Sequence, residues 1–176
     1  MPIVLIAGVL LIAGGLFMMK SNLIDISPAE QGGNFKTDFD EVFLKVSKSE
    51  GIPFALLKAI AIRESSLDPK AYRMEPDGRA SFGLMQVLWW PESERFENFG
   101  FPDANLGSNA EMLFDPMINV TIGAKIMKDN LRTSGQNLRD AVNMYNTGVK
   151  ESKRIAPHNY VDNVLAYYQK ITRNEV

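Results

Sequence analysis

A mainly α-helical domain with one small β hairpin, preceded by a single N-terminal transmembrane helix, is the architecture this sequence predicts. Three observations carry that expectation. Residues 3–19 form an unbroken run of apolar and small residues ended by Lys20. From Thr37 onward, apolar residues recur at helical spacing in segments separated by glycine and proline. Between two of those segments the pattern breaks around Asp77-Gly78, a pair that favours a tight hairpin turn.

With 176 residues the chain has room for one globular domain and an appendage. It has no cysteine, which excludes disulfides and thiolate metal sites, and its single histidine excludes a centre built on several imidazoles. Zinc chemistry is therefore not expected. The net charge is −2 and no basic tract stands out, which argues against nucleic acid as a partner.

As a helix, residues 3–19 would span about 25 Å, slightly short of a bilayer core of about 30 Å. Lys20 can snorkel and the bilayer can thin, so one span is feasible. A cleaved signal peptide is the rival reading. Against it, no basic residue precedes the run, the run is long for such a segment, and no A-x-A pattern follows. A buried core helix fits poorly, because every face is apolar and Gly8, Gly14 and Gly15 are weak helix formers in water. The expectation is a membrane anchor over residues 1–20, with the lipid bilayer as partner through residues 3–19. Its orientation stays open, since Lys20 stands against Asp25 and Glu30 nearby. Residues 21–36, with Pro28, Gly32 and Gly33, read as a linker.

The globular part, residues 37–176, begins with Thr37 as an N-cap. Phe39, Val42, Phe43 and Val46 follow at helical spacing until Gly51. Pro53 opens a second helix over Phe54 to Ser65, whose Leu56, Leu57, Ile60 and Ile62 cover nearly all faces and mark it as central. The stretch from Asp68 to Ser81 holds the hairpin. Ser81 to Gln86 has the pattern of a short strand turning into a helix, and residues 92–113 read as loop with short helical pieces. Asp115-Pro116 caps and starts a long helix reaching Gly135. Asn137 caps another from Leu138 to about Asn146, before Gly148, and a last helix runs from about Tyr160 to Ile171.

Glu64 carries the first chemical signal. It lies four residues after Ile60 and seven after Leu57, so it projects from an apolar face. A carboxylate there is costly when charged and should stay protonated near neutrality, as a general acid for glycosidic cleavage requires. A buried glutamate paired with Arg63, Arg73 or Arg79 is the competing structural explanation.

The neighbours of Glu64 decide between the two. Glu64-Ser65, then Pro69, then Gly83-Leu84-Met85-Gln86 stand in order. They are followed by Asn119 and Gly123 on the long helix, by Tyr145-Asn146-Thr147-Gly148, and by Tyr160-Val161. This series resembles the signature of the soluble lytic transglycosylases, peptidoglycan-degrading enzymes with a lysozyme-like α+β fold. The resemblance covers about Thr37 to Ile171. Thr147 stands where the family usually has alanine, and Tyr72-Arg73-Met74-Glu75-Pro76 lengthens the path from Glu64 to Gly83.

The resemblance implies a role for each position. Glu64 is the catalytic acid, and Ser65 orients it by a hydrogen bond or contacts a sugar. Ser81, Gly83, Met85 and Gln86 line the substrate site, Gly83 by letting sugar and backbone approach and Gln86 by bonding an N-acetylated sugar. Tyr145 and Asn146 face the acid across the cleft, and Tyr160 reaches Glu64 or the sugar with its hydroxyl. Ser65 as a helix cap, Met85 as packing and Tyr160 as a core residue remain alternatives on the residues alone.

The implied reaction cleaves the β-1,4 bond between N-acetylmuramic acid and N-acetylglucosamine in peptidoglycan glycan strands, leaves 1,6-anhydro-muramic ends and needs no metal or cofactor. A goose-type lysozyme or a non-catalytic wall-binding module would share much of the pattern. The expected place is a single-pass membrane protein with its catalytic domain facing peptidoglycan, in a membrane-containing phage virion used for genome entry or in a bacterial envelope.

Overall fold

The computed structural model describes residues 37–90, 95–101, 107–148 and 159–173. The expected anchor and linker, residues 1–36, lie outside them. No helix among the described residues is long and apolar enough to cross a membrane.

Helix α1 spans Asp40–Glu50 and α2 spans Phe54–Ser65. Thr37 does not cap α1. Its hydroxyl donates to Asp40 Oδ1 at 2.7 Å, and the helix begins two residues later than a cap at Thr37 would place it. That carboxylate is already committed to the Lys58 ammonium, also at 2.7 Å. Lys58 is buried in the middle of α2, so this pair ties α1 to α2 through groups that would be costly to leave unpaired. Gly51 ends α1 in the left-handed conformation, its N–H bonded to the Ser47 carbonyl.

Helix α2 buries every residue from Ala55 to Ile60 and also Ala61, which makes it the centre of the main core. Helices α4 (Pro116–Thr133), α5 (Leu138–Thr147) and α6 (Tyr160–Thr172) pack with α1 around it. The predicted caps of α4 and α5 form. Asp115 accepts from the Ile118 amide at 3.0 Å with Pro116 in the first turn, and Asn137 accepts from the Asp140 amide at 3.0 Å.

The β element is larger than a hairpin. Strands β1 (Tyr72–Met74), β2 (Ala80–Phe82) and β3 (Val87–Trp89) form an antiparallel sheet in that order. The turn around Asp77-Gly78 joins the first two, with Gly78 at a φ of 83°. Ser81 to Gln86 does not turn into a helix: residues 83–86 are a tight connection between β2 and β3. Gly83 and Gln86 both take positive φ, 69° and 45°, which a helix start does not permit. A second apolar cluster of Phe82, Val87, Phe96, Leu113 and Ile122 lies under this sheet. It includes the short helix α3 (Arg95–Asn98) and the 3-10 helix Gly107–Phe114. The turn 83–86 sits where the two clusters meet, with Leu84 and Met85 in the main one.

Candidate active site

Glu64 stands one residue before the end of α2. The chain leaves the helix through two consecutive non-glycine residues in the left-handed region, Ser66 at φ 55° and Leu67 at φ 66°. Each such residue costs about 1–2 kcal/mol. The Ser66 and Asp68 amides bond back to Ile62 and Ser65 carbonyls at 3.0 and 3.1 Å, which holds the strained exit in place. The acid is thereby presented at a sharp corner instead of being continued into another turn of helix.

The Tyr160 hydroxyl donates to Glu64 Oε1 at 2.5 Å. Tyr160 begins α6 and is only 2% exposed, so it is both a core residue and the direct partner of the acid. Burial raises the Glu64 pKa. The Tyr160 hydrogen bond and the positive charges of Arg63 and Arg73 oppose that rise without cancelling it. Burial, followed by the charge of Glu64, also drives the Tyr160 hydroxyl well above the ordinary tyrosine range, so it stays a donor at neutral pH. The Arg63 guanidinium lies 5.3 Å from the Tyr160 ring centre, and its buried Nε meets no acceptor among the described residues.

Asn119 holds the turn that faces this corner. Its Oδ1 accepts from the Met85 amide at 2.8 Å, while its Nδ2 donates to the Phe82 and Leu113 carbonyls at 2.7 and 2.8 Å. Gly83 is tight against this clamp: a Cβ there would stand 2.6 Å from Asn119 Nδ2 and 2.8 Å from the Leu113 oxygen. Gly123, one helical turn beyond Asn119, makes room in the same way for the Met85 sulfur and the Tyr145 hydroxyl. Tyr145 in turn donates to the Met85 carbonyl at 3.0 Å.

Several expected roles change accordingly. Ser65 does not bond Glu64; its hydroxyl is 2.8 Å from the Leu84 carbonyl and 3.1 Å from that of Ala61, and it fastens α2 to the turn. Gly83 is required by the approach of Asn119, whose side chain fills the space that a Cβ would take. The Met85 side chain is fully buried in the main core and meets the site only through its backbone. Ser81 is buried in the sheet, opposite Arg73 and Leu88. Gln86 uses Nε2 on the Ala71 and Gly83 carbonyls, at 3.1 and 3.2 Å. Asn146 is exposed at the end of α5, with no hydrogen bond to Glu64 among the described residues. The structure thus joins Glu64 directly to Tyr160, and Ser65, Gly83, Met85 and Tyr145 to one another through the turn. Spacing along the chain does not reveal that Asn119 is a clamp. The one signal it offers is a lone amide on the apolar side of α4, four residues before a glycine.

The hydrogen bond between Tyr160 and Glu64 can be tested separately. Tyr160→Phe removes the contact that lowers the Glu64 pKa, so that pKa should rise further. The limb on which activity falls as Glu64 ionises should move to higher pH, and the rate should drop severalfold, in line with a bond worth about 0.5–1.5 kcal/mol. A pH–rate profile identical to the parent's, together with a lowered melting temperature, would leave Tyr160 a purely structural residue.

The described geometry has counterparts. The family model "Transglycosylase SLT domain" matches residues 41–162. Invasion protein IagB of Salmonella typhimurium is 29% identical over 138 residues, which cover 78% of this chain and 81% of that protein. Protein IpgF of Shigella flexneri is 28% identical over 127 residues, 72% of this chain and 78% of that protein. Among solved structures, an inactive mutant of the lytic transglycosylase Slt from Pseudomonas aeruginosa, a glutamate-to-glutamine change, superimposes with a TM-score of 0.61 at 23% identity. The match covers 80% of this chain and only 25% of that longer one, and at that identity it shows the fold. With the family model spanning α1 to the start of α6, acid corner and clamped turn included, the chain belongs to the SLT transglycosylase family.

Proposed function

We propose that this protein is a peptidoglycan lytic transglycosylase that cleaves the β-1,4 bond between N-acetylmuramic acid and N-acetylglucosamine and leaves 1,6-anhydro-muramic ends. The observation that carries this reading is the Glu64 carboxyl, shifted toward its protonated form by burial and held by one neutral donor, Tyr160. Because Tyr160 occupies Oε1, Oε2 is the atom left to carry the acidic proton. Among the described residues the charged groups that act on Glu64 are Arg63 and Arg73, both cations. That favours a mechanism with one carboxyl group and help from the substrate's own acetamide over the usual carboxylate pair.

In this reaction Glu64 gives its proton to the leaving glycosidic oxygen as the bond to the anomeric carbon breaks. The muramic acetamide oxygen supports the positive charge that develops there. The Glu64 carboxylate then takes the proton of the same sugar's 6-hydroxyl, and that oxygen closes on the anomeric carbon. The acid is regenerated and no water is consumed. Burial suits both halves, since the group must be protonated first and basic afterwards. The related Slt protein, inactive with a glutamate replaced by glutamine, is consistent with an essential glutamate. Among the described residues, exposed Asn146 and the side-chain oxygen of Gln86 are two groups available for sugar amides and hydroxyls.

Residues 1–20 are proposed to anchor the enzyme in a bilayer, with the catalytic domain on the peptidoglycan side. The relatives named above are bacterial, one of them an invasion protein, which favours an envelope setting over a phage virion. One experiment addresses both reaction and anchor. The chain lacking residues 1–20 should stay in solution and release anhydro-muropeptides from purified sacculi, whereas the full chain should require detergent. Reducing ends in place of anhydro ends would make it a lysozyme-type hydrolase. An unfolded truncation beside a freely soluble full chain would place residues 1–20 in the core.

A further inference from the structure

The segment that lengthens the path from Glu64 to Gly83 contains β1, an edge strand of the sheet. Successive side chains on a strand point to opposite faces. The register pairs Arg73 with Ser81 and Ser81 with Leu88, so these three share one face. The start of β1 is tied to the surroundings of the acid. The Gly83 amide and Gln86 Nε2 both donate to the Ala71 carbonyl, at 2.8 and 3.1 Å. Leu84 of the same turn accepts from Ser65, beside Glu64, at 2.8 Å. Arg73 stands two residues from that anchor.

Two guanidinium groups act on Glu64, and they are placed differently. Arg63 is held over the Tyr160 ring. The Arg73 side chain is 69% exposed, and its only ion pair among the described residues is with Glu75, at 2.6 Å through Nη2. An exposed pair of this kind is weak and leaves most of the donor fork unused. Such a fork suits a second carboxylate.

We infer that Arg73 is a specificity-determining residue that binds a carboxylate on the muramyl side of the glycan and so selects anionic strands over neutral ones. The inference rests on the peptidoglycan reading above. The carboxylate belongs either to the stem peptide or, where the stem has been removed, to the lactyl group itself. Glu75 holds the guanidinium in place until substrate replaces it.

Kinetics of the full chain in detergent on three soluble glycan preparations test this. One bears intact stem peptides, one has been stripped by an amidase to free lactyl carboxylates, and one has those carboxylates blocked as methylamides. Arg73→Gln should raise KM on a carboxylate-bearing glycan about tenfold or more relative to KM on the blocked glycan, the worth of a charge-assisted hydrogen bond, while the positive charge lost near Glu64 changes kcat on all three preparations alike. A rise confined to stem-bearing glycan identifies the stem as the source, and a rise on the stripped glycan identifies the lactyl group. Glu75→Gln should lower KM on the same substrate by removing the competing carboxylate. An unchanged ratio of KM between charged and blocked glycans in Arg73→Gln, whether all values shift together or none does, overturns the assignment of Arg73 alone. A parent enzyme that releases no product from any of the three overturns the peptidoglycan reading, and this inference with it.

Discussion

Glu64→Gln should fold and lose peptidoglycan turnover by about a hundred- to ten-thousand-fold, the worth of a general acid–base group. Glutamine keeps the shape of the side chain and an oxygen for the Tyr160 hydroxyl, which now donates at 2.5 Å, but it has no proton to give. The variant should also be the more stable protein at neutral pH. Burial raises the Glu64 pKa above its ordinary value of 4.5, so the folded state binds that proton more tightly than the unfolded state does. The corresponding stability is fully present below the ordinary value and is lost as pH rises through the folded pKa. Glutamine does not ionise and escapes the loss. The gap in melting temperature between variant and parent should therefore open as pH rises from about 4 to about 8. Sacculus digestion at the parental rate would end the acid assignment. A gap that stays constant with pH would show that burial does not perturb Glu64.

Asn119→Ala should be the most destabilising single change at the site. It strips partners from the Met85 amide and from the Phe82 and Leu113 carbonyls, in a region where Asn119, Met85 and Leu113 are fully buried. Buried groups left without partners cost about 1–3 kcal/mol each, so a total of about 3–9 kcal/mol is expected for the three. That is a large share of the roughly 5–15 kcal/mol that holds a domain together. Activity should fall even below the melting temperature, because the loosened turn carries Leu84, whose carbonyl receives the Ser65 hydroxyl beside the acid. Urea unfolding measures the first effect and turnover at low temperature the second. A loss below about 1 kcal/mol would mean that water replaces the amide readily and that the turn stands without its clamp.

Much of this arrangement was legible from local chemistry. Asp115-Pro116 and Asn137 announced their helices, because caps act over three or four residues and need no distant partner. Gly51 and Gly148 end α1 and α5 in the left-handed region that glycine enters without steric cost. The Asp77-Gly78 pair marked the hairpin for the same reason, and the even apolar cover of α2 identified the central helix.

What stayed hidden depended on groups far apart in the chain. Periodicity cannot show that Lys58 is buried, since its partner Asp40 is supplied by another helix. It cannot show that residues 83–86 form a turn, since the amide that holds them comes from Asn119. Ser65, Gly83 and Met85 were read as groups for substrate, but each is engaged by a protein neighbour brought in by the fold. The sequence by itself determined the order of helices, the position of an acid on an apolar face and the resemblance that names its chemistry, because these rest on spacing along one chain. Only the tertiary structure decided which donor Glu64 meets, Tyr160 across 96 residues, and which charges, Arg63 and Arg73, oppose the upward pKa shift that its apolar face led one to expect. Burial and charge are properties of the packed surroundings, and no local stretch of sequence contains them.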